Sequence, residues 1–135
     1  MGLDMYLYRQ KKLRENDDAY NELAKKTSKQ IMYWRKANQI RSWIINNTSY
    51  EDDWNCEVVE LSKETLEKLV SDCEIVLNNH DKAKELFPVS IKFFFGSISY
   101  DEHYYKQLKY TMQEIKKILE ETDFETESII YTEWW

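Results

Sequence analysis

Leu3, Met5 and Leu7 alternate with Asp4, Tyr6 and Tyr8, and this tyrosine-rich, period-two run predicts a half-buried strand. Residues 9–27 are polar and irregular, with room for a short helical turn near Tyr20–Lys26. Ser28 is placed to cap a helix running to about Asn46. Its apolar positions Ile31, Trp34, Ile40, Trp43 and Ile44 fall near a 3.6-residue period, and Asn46-Asn47 supplies the stop. A polar loop over 47–55 carries Tyr50 and Trp54, and Cys56–Leu61 is a short strand candidate. Ser62 caps a second helix whose Leu66, Leu69, Val70, Cys73, Val76 and Leu77 form a continuous apolar stripe, ended by the NNHD stretch at 78–81.

Phe87-Pro88 breaks the chain again, and Ile91–Phe95 reads as a buried strand leading into Gly96-Ser97. Ser99 and Glu102 have the S-x-x-E spacing of a capping box and start a third helix, with Leu108, Met112, Ile115 and Leu119 on its inner face and an end near Glu121. Ser128–Trp134 alternates once more and gives a closing strand. The pattern predicts a single α+β domain over residues 1–135, with three main helices packed on a small mixed or antiparallel sheet of three to four strands. Strand order is not contained in it.

A chain of 135 residues can close one core, burying on the order of two-thirds of its unfolded surface. At 42% hydrophobic and 33% charged residues it is globular, and two glycines with one proline leave little material for linkers. No apolar run approaches the roughly 18 residues of a membrane span, so no membrane partner is expected. The start, MGLDMYLYRQKK, sets apolar residues before basic ones, the reverse of a secretory signal. A cytoplasmic protein is therefore expected, with Cys56 and Cys73 as reduced thiols. The formal charge of −6 argues against a nucleic-acid binder that works through a basic surface. Nor do the acids mimic DNA, because Lys116 and Lys117 interrupt those of Glu114–Glu121 as on a solvated helix face.

Two segments could carry chemistry. In FFFGSISYDEHYY (93–105), Gly96 permits backbone geometry closed to other residues, and Ser97 and Ser99 offer hydroxyls beside a helix start whose free N–H groups can hold an anion. Asp101 and Glu102 oppose this by occupying the positive end, and an ordinary turn before a capped helix explains the same residues. In WRKANQIRSW (34–43), Trp34, Asn38 and Arg41, or Arg35, Asn38 and Ser42, can share a helix side. An arginine and an asparagine beside an indole can hold a planar polar ligand by bidentate contact and stacking, unless Trp34 is simply core and Arg35 and Lys36 solvated. A third feature is diffuse: Tyr6, Tyr8, Tyr33, Tyr50, Trp54, Tyr100, Tyr104, Tyr105, Tyr110, Tyr131, Trp134 and Trp135 exceed what one core would bury with every polar tip satisfied. Such rings suit a binding surface, for bases or for a protein partner.

Standard catalytic patterns are missing: the chain has no GxSxG, HExxH, P-loop or dinucleotide fingerprint. Cys56 and Cys73 form no CxxC, and His80 and His103 have no ligand spacing around them, so no metal or cofactor is expected. Asp101, Glu102 and His103 are consecutive and point in different directions on a helix, which disfavours them as an acid–base group.

Taken together, MGLDMYLY, YWRKANQIRSWI and FFFGSISYDEHYY, with the aromatic ending SIIYTEWW, resemble a family of small proteins from phages and prophages. The likeness spans nearly the whole chain and is loosest over 9–27 and 47–90. Arg41 stands where that family has histidine, so no base is expected there. The resemblance implies no activity, and the missing motifs do not support the enzyme labels some members carry. It implies a setting: a phage-encoded accessory protein in a bacterial host cytoplasm, of the kind that disarms host defence.

The leading expectation is a non-enzymatic binder that sequesters a small nucleotide-derived immune signal. In it Trp34 and Tyr100 or Tyr104 stack a base, Arg35 and Ser97 hold phosphate or ribose, and Asn38, Phe95 and Gly96 complete the site. The alternative is a protein–protein inhibitor whose aromatic, acidic surface masks a host defence nuclease or other effector. A hydrolase of such nucleotides is a third reading without a metal or nucleophile to support it. Surplus aromatics and strand candidates at both termini also allow a homodimer or higher assembly.

Overall fold

The computed structural model describes residues 2–90 and 97–135. Among these residues there are four strands, β1 (Asp4–Lys11), β2 (Lys29–Arg35), β3 (Val58–Leu61) and β4 (Glu127–Trp134). The helices are α1 (Asp18–Lys26), α2 (Asn38–Asn47), α3 (Lys63–Asn78), α4 (Ala83–Leu86) and α5 (Glu102–Glu121), with a 3₁₀ turn at His80–Lys82. The strands form one open sheet of order β2-β1-β4-β3 in which every neighbouring pair is antiparallel. The fold is α+β as expected, with five helices where the pattern predicted three. No helix among the described residues is long and apolar enough to cross a membrane.

The largest departure lies between Ser28 and Asn46, which is not one helix. Lys29–Arg35 is extended and pairs with β1 from Arg9↔Lys29 to Asp4↔Arg35. Met32 and Trp34 turn inward while Tyr33 and Arg35 turn outward, a period of two that the helical spacing of Ile31, Trp34, Ile40 and Ile44 masked. Lys36 then takes a left-handed backbone (φ 54°), its N–H meets the Leu3 carbonyl at 2.7 Å, and α2 starts only at Asn38. Ser28 does not open a helix either. Its hydroxyl donates to the Lys25 carbonyl at 2.9 Å and closes α1, whose own cap is Asp17.

At α5 the cap is Asp101, whose carboxylate accepts from the Tyr104 N–H at 3.1 Å, rather than Ser99. A carboxylate also complements the positive helix end, which a neutral hydroxyl does only weakly. Ser62 caps α3 as expected, accepting from the Thr65 N–H at 3.1 Å. The strand expected from Cys56 starts at Val58, because Cys56 itself is left-handed (φ 65°). The strand expected over 91–95 lies outside the described residues.

The register places Trp34, Met5 and Glu133 in one row across the sheet and Met32, Leu7, Tyr131 and Val59 in the next, all on the face that packs against the helices. Leu66, Leu69, Cys73 and Val76 of α3 and Leu108, Ile115 and Ile118 of α5 complete this core with Trp43 and Ile44 of α2. Its aromatic tips are satisfied: the Trp34 indole N–H donates to Thr111 (2.8 Å), that of Trp43 to Asp72 (2.8 Å), and the Tyr104 hydroxyl to the Phe87 carbonyl (2.6 Å). More of the aromatic surplus is therefore core than composition suggested.

A charge sits in this core as well. Glu133, with a side chain wholly withdrawn from solvent, accepts from Arg41 Nε and the Trp135 indole N–H at 2.7 Å on one oxygen, and from the Tyr131 hydroxyl at 2.7 Å on the other. Arg41 also donates to the Asp52 carboxylate (2.8 Å) and carbonyl (2.7 Å). Arg41→Met strands the Glu133 carboxylate in the core and is expected to cost about 3–5 kcal/mol in urea unfolding, with much of the loss recovered in Arg41→Met/Glu133→Gln.

Burial pushes the Tyr50, Tyr104 and Tyr131 hydroxyls well above their usual 10.0, and the Glu133 carboxylate adds to this at Tyr50 and Tyr131. The folded chain then keeps these protons after the unfolded chain has released them. Stability is complete below pH 10 and falls as pH rises through it, by about 1.4 kcal/mol per pH unit for each such tyrosine. Urea midpoints measured across the alkaline range should show this decline, and Tyr104→Phe should flatten it.

Candidate functional site

Where β2 hands over to α2, the chain lies beside the start of α5, and a cleft of about 450 Å³ opens between them. Arg35 and Lys36 form one wall, Gln39 and Gln107 lie along it, and Ser97, Ser99, Asp101, His103 and Tyr104 form the other wall. The left-handed turn at Lys36 creates this arrangement, because it ends the strand and starts a helix within two residues. Asn38 holds the two walls together from beneath. It is buried, its amide N–H donates to the Ser97 carbonyl at 2.9 Å, and its carbonyl accepts from the Ser90 N–H at 2.9 Å.

The cleft's charges are uneven. Arg35 contacts Asp4 at 3.2 Å, on the same carboxylate oxygen that accepts the Tyr33 hydroxyl, and that hydrogen bond raises the Tyr33 pKa above its usual value. Lys36 forms no ion pair with any described residue, so its ammonium is free to meet a ligand. A Cβ added at Gly2 would lie 3.4 Å from Arg35 Nη2 and 3.5 Å from Lys36 Cε, so the start of the chain packs against both cations. Asp101 is engaged in capping α5 and adds negative charge to the far wall. Gln39 donates to Gln107 Oε1 at 2.7 Å, while the Gln107 amide N–H makes only a long 3.5 Å contact with the Arg35 carbonyl.

Of the residues singled out in the sequence, Arg35, Ser97 and Tyr104 line this cleft. Asn38 supports it without reaching its surface as an open group. Trp34 lies in the core, 3% exposed, and offers no face for a stacked base. Tyr104 is also buried, its hydroxyl held by Phe87, so it bounds the cleft without serving as a platform. Tyr100 accepts from the Val89 N–H at 3.1 Å and faces a separate hollow with His80, Lys84 and Tyr105, where the His80 and Tyr105 rings stack at 3.7 Å. Phe95 and Gly96 lie outside the described residues.

Lys36, Gln39 and Gln107 were not among the expected binders. Lys36 directly follows Arg35, and Gln107 shares a helix side with His103 at i, i+4, but nothing in one sequence brings residues 36 and 107 together.

The arrangement is suited to recognition: two cations for an acidic group, an amide pair for a polar edge, and serine hydroxyls opposite. Among the described residues no cluster of histidine, cysteine, aspartate and glutamate could hold a metal ion. The chain matches no protein-family model, no curated protein and no solved structure, so the site is read from its own geometry.

Proposed function

We propose that the protein binds, without chemically changing it, a small anionic ligand of nucleotide type in the cleft between β2, α2 and α5. One observation carries the reading: the free ammonium of Lys36 stands beside Arg35 in a hollow of about 450 Å³ that also contains the Gln39–Gln107 amide pair. That size falls in the ordinary range for small-molecule sites, and its polar groups are few and convergent. Arg35 and Lys36 take the phosphate, since Asp101 makes the opposite wall unfavourable for it. Gln107, with its loosely held N–H, meets the polar edge of the base or sugar. Stacking on Trp34, part of the expectation from sequence, drops out because the indole is buried.

The biological setting comes from the resemblance to small phage proteins alone: a counter-defence protein that sequesters a nucleotide signal of host immunity. Calorimetry against a panel of cyclic dinucleotides and ADP-ribose derivatives tests the binding. One member should give saturable heat and be recovered intact by chromatography, and Arg35→Ala/Lys36→Ala should weaken it by about tenfold or more, equivalent to about 1.4 kcal/mol. Silence across the whole panel, or recovery of a cleaved product, would overturn the reading.

A further inference from the structure

Among the described residues, the sheet face turned away from the core leaves Tyr6, Tyr8, Ile130 and Thr132 half-buried and Tyr33 exposed. Antiparallel register sets Arg35, Asp4 and Trp134 in one row across this face, then Tyr33, Tyr6, Thr132 and Val58, then Tyr8, Ile130 and Glu60. Trp134 is 68% exposed and Val58 62%. The Tyr6 ring lies 5.3 Å from that of Tyr33 and 6.1 Å from that of Tyr8. Beside Trp134, the rings of Tyr6 and Tyr8 with Thr132 border a hollow of about 250 Å³. These rings belong to the part of the aromatic surplus that the core does not bury.

The segment that carries β3 has a single sign of charge. From Ser42 to Ser62 the chain carries Glu51, Asp52, Asp53, Glu57 and Glu60 and no lysine or arginine. Asp52 is taken by Arg41, whereas Glu51, Asp53, Glu57 and Glu60 have no ion pair among the described residues. The loop holding three of these acids is pinned to the end of β4. Cys56 N–H donates to the Glu133 carbonyl (2.9 Å), the Trp135 indole N–H to the Trp54 carbonyl (3.1 Å), and the Trp135 backbone N–H to Asn55 (2.9 Å). Glu60, in the row of Ile130 and Tyr8, and Glu57, directly before Val58, therefore set unpaired carboxylates beside these rings.

We propose that the β4–β3 half of the open sheet face docks a basic segment of a partner protein, one rich in lysine and arginine. Charge complementarity selects this occupant. Cationic heads are attracted both to the faces of Trp134, Tyr6 and Tyr8 and to the carboxylates beside them, while their aliphatic stems cover Val58 and Ile130. A nucleic-acid strand would find the same rings, but its phosphates would meet the unpaired carboxylates of Glu57 and Glu60. The surface centres on β4 and β3, with β1 between it and the β2 strand that borders the Lys36 cleft, and its ligand differs in charge, so either reading can fail without the other.

Fluorescence anisotropy with a labelled short peptide of alternating arginine and valine tests the docking, with a glutamate–valine peptide and an oligothymidylate as controls. The arginine peptide should bind saturably at low salt and the two controls should not. Glu57→Lys/Glu60→Lys should weaken it by about tenfold or more, and Tyr8→Ser/Trp134→Ala by about threefold or more. Glu120→Lys/Glu125→Lys makes the same change in net charge at the opposite end of β4 and should shift affinity by less than about twofold. If Glu57→Lys/Glu60→Lys does not fold, as read by circular dichroism, the aromatic pair reports on the same face. No binding, equal losses in the two charge-reversed variants, or stronger binding of oligothymidylate would each overturn the proposal.

Discussion

A carboxylate cannot be left in a protein core without partners, and Glu133 is placed where that requirement organises much of the molecule. Its oxygens are filled by Arg41, Tyr131 and Trp135, which bring together α2, the centre of β4 and the last residue of the chain. Arg41 in turn holds Asp52, and so the acidic loop, against the same point. Because Arg41 is fixed, so is the rotation of α2 against the sheet. Asn38, one turn earlier on the same helix side, then faces Ser90 and Ser97, and Gln39 faces Gln107. The geometry of the cleft is thus set partly by an ion pair that does not line it.

The two faces of the sheet use the same residue types for opposite ends. Trp34 and Tyr33 are neighbours in sequence, yet one indole is sealed against Thr111 while the adjacent phenol stands on the open face beside Tyr6 and Asp4. Tyr131 and Trp134 are divided in the same way along β4. Alternation makes this possible: a strand cannot bury both of two consecutive side chains against one layer of helices. A one-residue slip of β2 would exchange the two sets, and the register from Asp4↔Arg35 to Leu7↔Met32 prevents it.

The cleft depends on a backbone feature as much as on side chains. A lysine with φ of 54° is unusual, and it persists because the Lys36 N–H gains the Leu3 carbonyl while the residues on either side belong to a paired strand and a buried helix. That turn throws the Lys36 side chain out beside Arg35 rather than along the sheet. Asn38 then couples the turn to the approach of α5, some 60 residues later in the chain.

What the sequence determined by itself was local. Alternation over Leu3–Tyr8 and Ser128–Trp134 gave β1 and β4, and Ser62 with the stripe from Leu66 to Leu77 gave α3, because in each case the periodicity, the cap and the composition agree. Over residues 28–46 they disagree. Trp34 fits a helical period from Ile31 as well as it fits a strand, and only the ladder with β1, a non-local partner, decides for the strand. The site divided along the same line. Arg35 and Ser97 could be named from the chemistry of their own segments, but the free ammonium of Lys36, the Gln39–Gln107 pair and the burial of Trp34 could not. Each of these depends on which residues distant in the chain come to lie opposite, and hydrogen bonds between residues 39 and 107 or 34 and 111 leave no mark on either segment alone.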